Sequence, residues 1–301
     1  MAIKTIAIIG TGDMGSAVGR VLREQGYRII TDPDGRSDTS RELARQAGFE
    51  NLDGLEAVVS AADLFLSILP PAAAGALAGR VAAALRSSGE DHLIYADCNA
   101  VSPAGVRRIA AQLEGVCAGF VDAGIVGPPP GKSPQPTRFY VSGPDAGCMA
   151  ELHGKGLDVR PLGADIGRAS ALKMAYASLN KGTIALRTAV LMAAQRLGVG
   201  RELQEELQYS QAAAYEQMCR SVPFLGAVAR RWEGEMHEIE DTFRAAGITG
   251  DFHAAAASIY SILADSELGG ETRGEQPQHR DLEAAIDIFL RTAPPASGDQ
   301  S

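Results

Sequence analysis

Residues 6–15 read IAIIGTGDMG, an apolar run that breaks into Gly10, Gly12 and Gly15. Upstream, Ile3 to Ile9 is β-branched apart from Lys4 and Ala7, which suits a strand buried on both faces. SAVGRVLREQG follows, with Val18, Val21 and Leu22 on one helical face and Gly26 placed to end the helix. Strand, glycine turn and helix is the setting in which G-x-G-x-x-G binds a dinucleotide. Gly10 is expected to make the tight turn. Gly12 would let backbone N–H groups, with Thr11, Asp13 and Met14 beside them, approach a pyrophosphate. Gly15 would let the helix pack on the strand. The positive end of the helix dipole then faces the phosphates.

Working outward, strands and helices alternate to about residue 162. Strands are expected over 27–31, 64–69, 93–96, 120–123 and 139–142. Helices are expected over 39–47, 55–62, 72–85 and 101–113. This pattern predicts an α/β fold, a Rossmann-type doubly wound and mostly parallel sheet, as a dinucleotide-binding domain over 1–163. From 164 to 301 the reading is all-helical, a substrate and dimerisation domain. One helix is expected over 168–197, about 45 Å long, then helices over 201–219, 223–246, 252–263 and 281–290. Residues 267–279 read as a polar loop and PPASGDQS at the end as a frayed tail.

Composition sets the boundaries. With 46% hydrophobic and 22% charged residues in 301, the chain reads as an ordinary globular protein. A formal charge of −9 argues against a nucleic-acid partner. No apolar run approaches the ~20 residues of a membrane span, and no secretory signal is visible at the start. The four cysteines, Cys98, Cys117, Cys148 and Cys219, are scattered and form no metal pattern. No metal is expected, and the reading is a cytoplasmic protein with reduced thiols.

Ligands bind beyond the carboxyl ends of the strands in such sheets, so the candidate residues come from there. Asp32 or Asp34, after the second strand, suits the ribose diol of NAD(H). Arg36 and Ser37, in GRSDTS, suit the 2′-phosphate of NADP(H). The balance favours NADP(H), with NAD(H) the alternative. Leu69 and Pro70 end the next strand. Asn99 follows another, either as a hydrogen-bonding contact or as a turn residue. The run DAGIVGPPPG, 122–131, reads as a rigid loop after a strand. On the long helix, Lys173, Ala177, Asn180, Lys181 and Ile184 share a face by helical spacing. Lys173 is either a solvated surface lysine or a partly desolvated acid/base with a lowered pKa.

These stretches, the glycine fingerprint with FLSILP, DCNAVSP, DAGIVGPPPG and GRASALK in that order, resemble the β-hydroxyacid dehydrogenase superfamily. That group includes 3-hydroxyisobutyrate and 6-phosphogluconate dehydrogenases. More narrowly, the chain is similar to a bacterial 6-phosphogluconate-dehydrogenase-like subgroup whose C-terminal domain has no assigned function. The resemblance implies a hydride exchanged between a nicotinamide and a small hydroxy or keto substrate, with Lys173 as general acid/base. It implies a substrate loop at Asp122, Ala123 and Gly127, and Tyr176 is a further candidate substrate contact. Two departures stand out. Val126 takes the place of the superfamily's carboxylate-binding serine, and its helper asparagine falls on Ala177, leaving Asn180 as the possible substitute. Imine reductases share the fold but carry another residue at the lysine position, so they are the runner-up. A dinucleotide-sensing protein without turnover is the alternative of another class. The long helix is apolar most of the way round, at Leu172, Met174, Leu179, Ile184, Leu186, Val190, Leu191 and Leu197. That predicts a homodimer through the helical domain, which the resemblance also implies.

Overall fold

In the computed structural model, which describes residues 3–272 and 276–295, β1 (Thr5–Ile9) is the third strand from one edge of an eight-stranded sheet. Part of the expected 267–279 loop and most of the tail lie outside the described residues. The strands are β2 (Arg28–Thr31), β3 (Glu50–Asn51), β4 (Leu64–Ser67), β5 (Ile94–Asp97), β6 (Gly119–Val126), β7 (Arg138–Ser142) and β8 (Asp158–Pro161). Their spatial order is β3-β2-β1-β4-β5-β6-β7-β8. The first six in that order are mutually parallel; β7 runs antiparallel to β6, and β8 parallel to β7. The direction of strand order reverses between β1 and β4, which is where such sheets open a ligand crevice.

Helices α1 (Asp13–Glu24), α2 (Asp38–Ala47), α3 (Leu55–Ala61), α4 (Pro71–Ser88) and α5 (Pro103–Leu113) make the parallel crossovers. Their ends follow the local chemistry. Ser37 caps α2 by accepting from Ser40 N–H, and Ser102 caps α5 by accepting from Gly105 N–H. Gly48 ends α2 in the left-handed conformation. Two apolar layers cover the sheet. One contains Ile6, Ile8, Val18, Leu22 and Phe139, the other Ile9, Phe65, Val81, Tyr95 and Ile109.

Four features depart from the expectations. β3 and β8 are additional strands at the two edges of the sheet, and β6 extends to Val126. All eight residues of β6 are buried, with β5 and β7 on either side, so the strand expected over 120–123 continues through Gly124, Ile125 and Val126, where the sequence reads as a loop. The helix over 168–197 is present as α6 (Arg168–Ala177) and α7 (Thr183–Arg196), joined by a π turn at Ser178–Gly182. Finally, residues 201–219 form two helices, α8 (Gly200–Ser210) and α9 (Ala212–Ser221). The backbone at Gln211, φ −139° and ψ 43°, leaves the helical region between them.

The chain divides into two compact units, Met1–Met174 and Ala175–Ser301. The first runs past 163 because Asp122 holds the start of α6. Its Oδ2 accepts from the N–H groups of Gly167 (2.8 Å), Ala169 (3.1 Å) and Ser170 (3.2 Å). Its Oδ1 accepts from Ser170 Oγ at 2.7 Å, and Ser142 Oγ donates to Oδ2 at 2.9 Å. A buried carboxylate among the free N–H groups of a helix start is favoured by those bonds and by the helix dipole.

The described residues of the second unit form helices and their connections, with no strand. There α10 (Gly226–Ala245) packs on α11 (Asp251–Asp265), and α12 (Leu282–Thr292) is capped by Asp281, which accepts from Ala284 N–H at 2.9 Å. At the π turn, Lys181 forms an ion pair with Glu235 and lies 5.3 Å from the Trp232 ring. The Tyr260 hydroxyl donates to the Lys181 carbonyl at 2.8 Å.

Asp122→Ala removes a fully buried acceptor and leaves several N–H groups unpaired. It should cost about 4 kcal/mol, read as a lower urea midpoint. An unchanged midpoint would show that α6 is held by something else.

Candidate active site

The glycine turn has the geometry the fingerprint requires. Gly10 sits at φ +105°, and a Cβ there would come within 2.1 Å of the Ile68 carbonyl oxygen at the end of β4. A Cβ on Gly15 would meet the Gly10 carbonyl oxygen, also at 2.1 Å, so α1 packs directly on the turn. At Gly12, by contrast, a Cβ would meet nothing within 4 Å. Gly12 is also the N-cap of α1 and provides no side chain to bond the first-turn N–H groups. The space beside Gly12 thus lies open at the positive end of a twelve-residue helix, which suits a pyrophosphate. Asp13 in the first turn is exposed and Met14 partly buried. Thr11 is buried, and its hydroxyl donates to the Ser40 carbonyl at 2.9 Å, tying the turn to α2.

After β2, Asp32 is buried and its Oδ1 accepts from Asp34 N–H at 2.9 Å. Arg36 lies half-buried, and its Nε is enclosed without a hydrogen-bond partner. Burial lowers its pKa from the ordinary arginine range; the Asp32 charge opposes this and the like charge of Arg80, on α4, adds to it. Two guanidinium groups that feel each other, one with an unpaired buried nitrogen, fit a 2′-phosphate. Ser37 is exposed, and its hydroxyl also donates to Ser40 Oγ at 3.1 Å.

A single register row crosses the carboxyl side of the sheet: Ile9 beside Ser67, Ser67 beside Asp97, Asp97 beside Asp122, Asp122 beside Ser142. Its four polar members are buried. Asn99 closes the row from above. Its Nδ2 donates to Ser67 Oγ (2.8 Å) and Asp97 Oδ2 (2.9 Å), and its Oδ1 accepts from Leu69 N–H at 2.5 Å. The Asn99 side chain is therefore fully engaged inside the protein. It holds the Leu69–Pro70 segment opposite Gly10. Leu69 is partly buried, with Cδ2 3.0 Å from the Cβ position of Gly10, and Pro70 is exposed. Burial pushes the Asp97 carboxyl up to about 6, against the pull of the Asn99 N–H groups and Lys173 and helped by the Asp122 charge.

Lys173 leaves α6 beside this row, and its ammonium donates to the Cys98 carbonyl at 3.4 Å. Gly124 makes the approach possible, because a Cβ there would lie 2.8 Å from the Ala169 carbonyl oxygen and 3.1 Å from Lys173 Cβ. Asp122 is directed inward to the α6 start, and Ala123 is buried in β6. Gly127, at φ +108°, opens the loop after β6 and is partly buried.

The π turn interrupts the helical spacing that grouped Lys173, Ala177, Asn180, Lys181 and Ile184 on one face. Within the second unit, Tyr176 and Asn180 are exposed, and Asn180 Nδ2 donates to the Tyr176 carbonyl at 3.2 Å. Sequence reasoning missed Ser67, Gly124, Ser142, Ser170 and Arg80. Gly124 is marked in the sequence by a glycine inside a buried run, a sign of close backbone approach. The serines carry no such sign.

Comparison with known proteins matches this architecture. Residues 5–150 match the NAD binding domain of 6-phosphogluconate dehydrogenase, and residues 194–263 match a domain of unknown function, DUF1932. The chain is 31% identical to the conserved protein MTH1747, of unknown function and described as structurally similar to 3-hydroxyacid dehydrogenases. That match covers 89% of this chain and 100% of the other, with a TM-score of 0.62. The fold is also that of Mycobacterium tuberculosis 3-hydroxyisobutyrate dehydrogenase (18% identity, 95% and 99% covered, TM-score 0.66). An imine reductase from Myxococcus stipitatus, solved with NADP+, shares it too (18% identity, 95% and 99% covered, TM-score 0.57).

A Rossmann fold with this turn defines a protein with an NAD-binding domain. The chain belongs to the family that joins a 6-phosphogluconate-dehydrogenase-like NAD-binding domain to a DUF1932 C-terminal domain.

The first two glycines of the turn can be separated by substitution. Gly10→Ala meets a backbone oxygen in a left-handed conformation and should lower stability by about 3 kcal/mol. Gly12→Ala has room for its methyl group and should keep the parent's thermal midpoint while weakening cofactor binding at least about tenfold. Calorimetry and fluorescence titration check both. Parent-like cofactor affinity in Gly12→Ala would place the phosphates elsewhere.

Proposed function

We propose that this protein is an NAD(P)-dependent oxidoreductase that passes a hydride between a nicotinamide and a small hydroxy or keto substrate, Lys173 moving the substrate proton. The observation that supports it most is Lys173 itself. It stands at the carboxyl edge of the sheet that carries the glycine turn, anchored through α6 by Asp122. Bound there, the cofactor supplies or accepts the hydride. The first-turn N–H groups of α1 would hold its pyrophosphate, with Leu69 and Pro70 along the crevice opposite Gly10. Lys173 would take the hydroxyl proton in oxidation and return it in reduction. Position contributes as much as basicity to such a step. Gly127 and Tyr176 remain the proposed substrate contacts, with Asn180 as helper; Asp122 and Ala123 support the site from beneath.

The unpaired Arg36 Nε and the nearby Arg80 favour NADP(H) over NAD(H). The setting proposed is the cytoplasm, consistent with four free cysteines. No nucleic-acid or membrane partner is proposed; among the described residues no helix is long and apolar enough to cross a membrane. The partner proposed is a second copy. Along the α6–α7 helix, Met174 and Leu191 are buried within the chain, but Leu179, Leu186, Val190 and Leu197 stand 71%, 65%, 42% and 77% exposed. An uncovered apolar face of that kind marks an interface, and light scattering should give a dimer mass; a monomer that persists on concentration would contradict it.

Cofactor oxidation and reduction across hydroxy acids, keto acids and cyclic imines tests the chemistry. Turnover of a hydroxy/keto pair is expected, and Lys173→Ala should cut it about 10²–10⁴-fold with cofactor affinity nearly unchanged. Turnover of cyclic imines alone would select the imine reductase. Cofactor binding without any turnover would select the dinucleotide sensor. Arg36→Ala should weaken NADP(H) about 10–100-fold and leave NAD(H) nearly as it was; tighter NAD(H) binding that ignores Arg36 would reverse the cofactor assignment.

A further inference from the structure

One peptide group joins two charges at the site. The N–H of Asn99 donates to Asp97 Oδ1 at 3.1 Å, and the carbonyl of Cys98, in the same peptide plane, accepts from the Lys173 ammonium at 3.4 Å. In a trans peptide the N–H and C=O point in opposite directions. A carboxylate that fixes the N–H therefore also aims the carbonyl. The other Asp97 oxygen accepts from Asn99 Nδ2, which is itself held by Ser67 and Leu69. Both oxygens are thus occupied by one residue, and the turn from Asp97 to Asn99 has little freedom to rotate.

From this geometry we infer that Asp97 is a positioning residue for Lys173, aiming the Cys98 carbonyl at the ammonium and tightening the hold of Lys173 on its proton. An anionic acceptor on the N–H polarises the peptide and strengthens its carbonyl as an acceptor. The groups facing Asp97 are Ser67 on β4, Tyr95, Cys98 and Asn99 around β5, Asp122 on β6 and Lys173 on α6. Of these, Lys173 is the cation and Asp122 a second anion, already engaged with the α6 start. Since burial pushes the Asp97 carboxyl up to about 6, its charge is lost as pH falls through that value. Above it the carboxylate favours the ammonium; below it that support is gone.

This inference rests on the reading of Lys173 as the proton carrier, but its test needs no turnover. The full chain is labelled competitively with acetic anhydride across pH 6–11, and mass spectrometry follows acetylation at Lys173. Asp97→Asn should lower the Lys173 midpoint by about one pH unit, and Asp97→Glu, which keeps the charge, should stay near the parent. An unchanged midpoint in folded Asp97→Asn overturns the inference, as does an equal fall in Asp97→Glu. Should Asp97→Asn fail to fold, carbonyl-¹³C cysteine in the parent chain reads the Cys98 carbonyl directly. Its resonance should move with a midpoint near 6; a resonance flat from pH 5 to 7.5 overturns the inference. Turnover kept by Lys173→Ala, together with a lowered Lys173 midpoint in Asp97→Asn, would remove the catalytic reading and leave the positioning of Lys173 standing.

Discussion

The site depends on a carboxylate placed at the start of a helix. Asp122 sits in the interior of β6 and binds the first N–H groups of α6. A buried charge without partners would cost several kcal/mol. Here the helix start supplies both the donors and a favourable dipole. The result is a rigid joint between the sheet, which carries the cofactor turn, and the helix that carries Lys173. Gly124, two residues along the same strand, completes the joint by letting the α6 backbone come close. One strand thus sets both the anchor and the approach distance of the lysine.

Around that joint the polar row Ser67, Asp97, Asp122 and Ser142 runs through an otherwise apolar sheet. Each member is hydrogen-bonded, which is the condition for carrying polar groups in a core. The arrangement rigidifies the carboxyl edge where ligands bind in this fold class. The backbone amide of Leu69 gains a fixed direction from it through Asn99. Preorganised groups of this kind lower the reorganisation a reaction needs.

Much of this was legible in the sequence because certain steps admit few residues. The turn at Gly10 and the contact at Gly15 exclude a Cβ, so the fingerprint shows through in the residues themselves. The strand–helix alternation is equally plain, since buried parallel strands are continuous apolar runs. What could not be read shares one property: it depends on neighbours distant in sequence. DAGIV looks like a Gly-rich loop until β5 and β7 are placed beside it. Asn99 reads as a ligand contact or a turn residue, and neither reading shows that Ser67 and Leu69 are brought to its amide. The two-residue β3 and the proline-ended β8 are too short or too atypical to announce themselves. The π turn leaves the apolar pattern of the long helix unbroken to the eye while changing which residues share a face.

The central claim is that the glycine turn and Lys173 serve one hydride-transfer site, and isotope transfer tests it most directly. Reduction of a keto-acid panel with NADPH deuterated at nicotinamide C4, analysed by mass spectrometry, should place one deuterium on the new carbinol carbon from one face of the ring only. Product that forms without deuterium from either face, or no product from any keto acid while the cofactor binds, would contradict it.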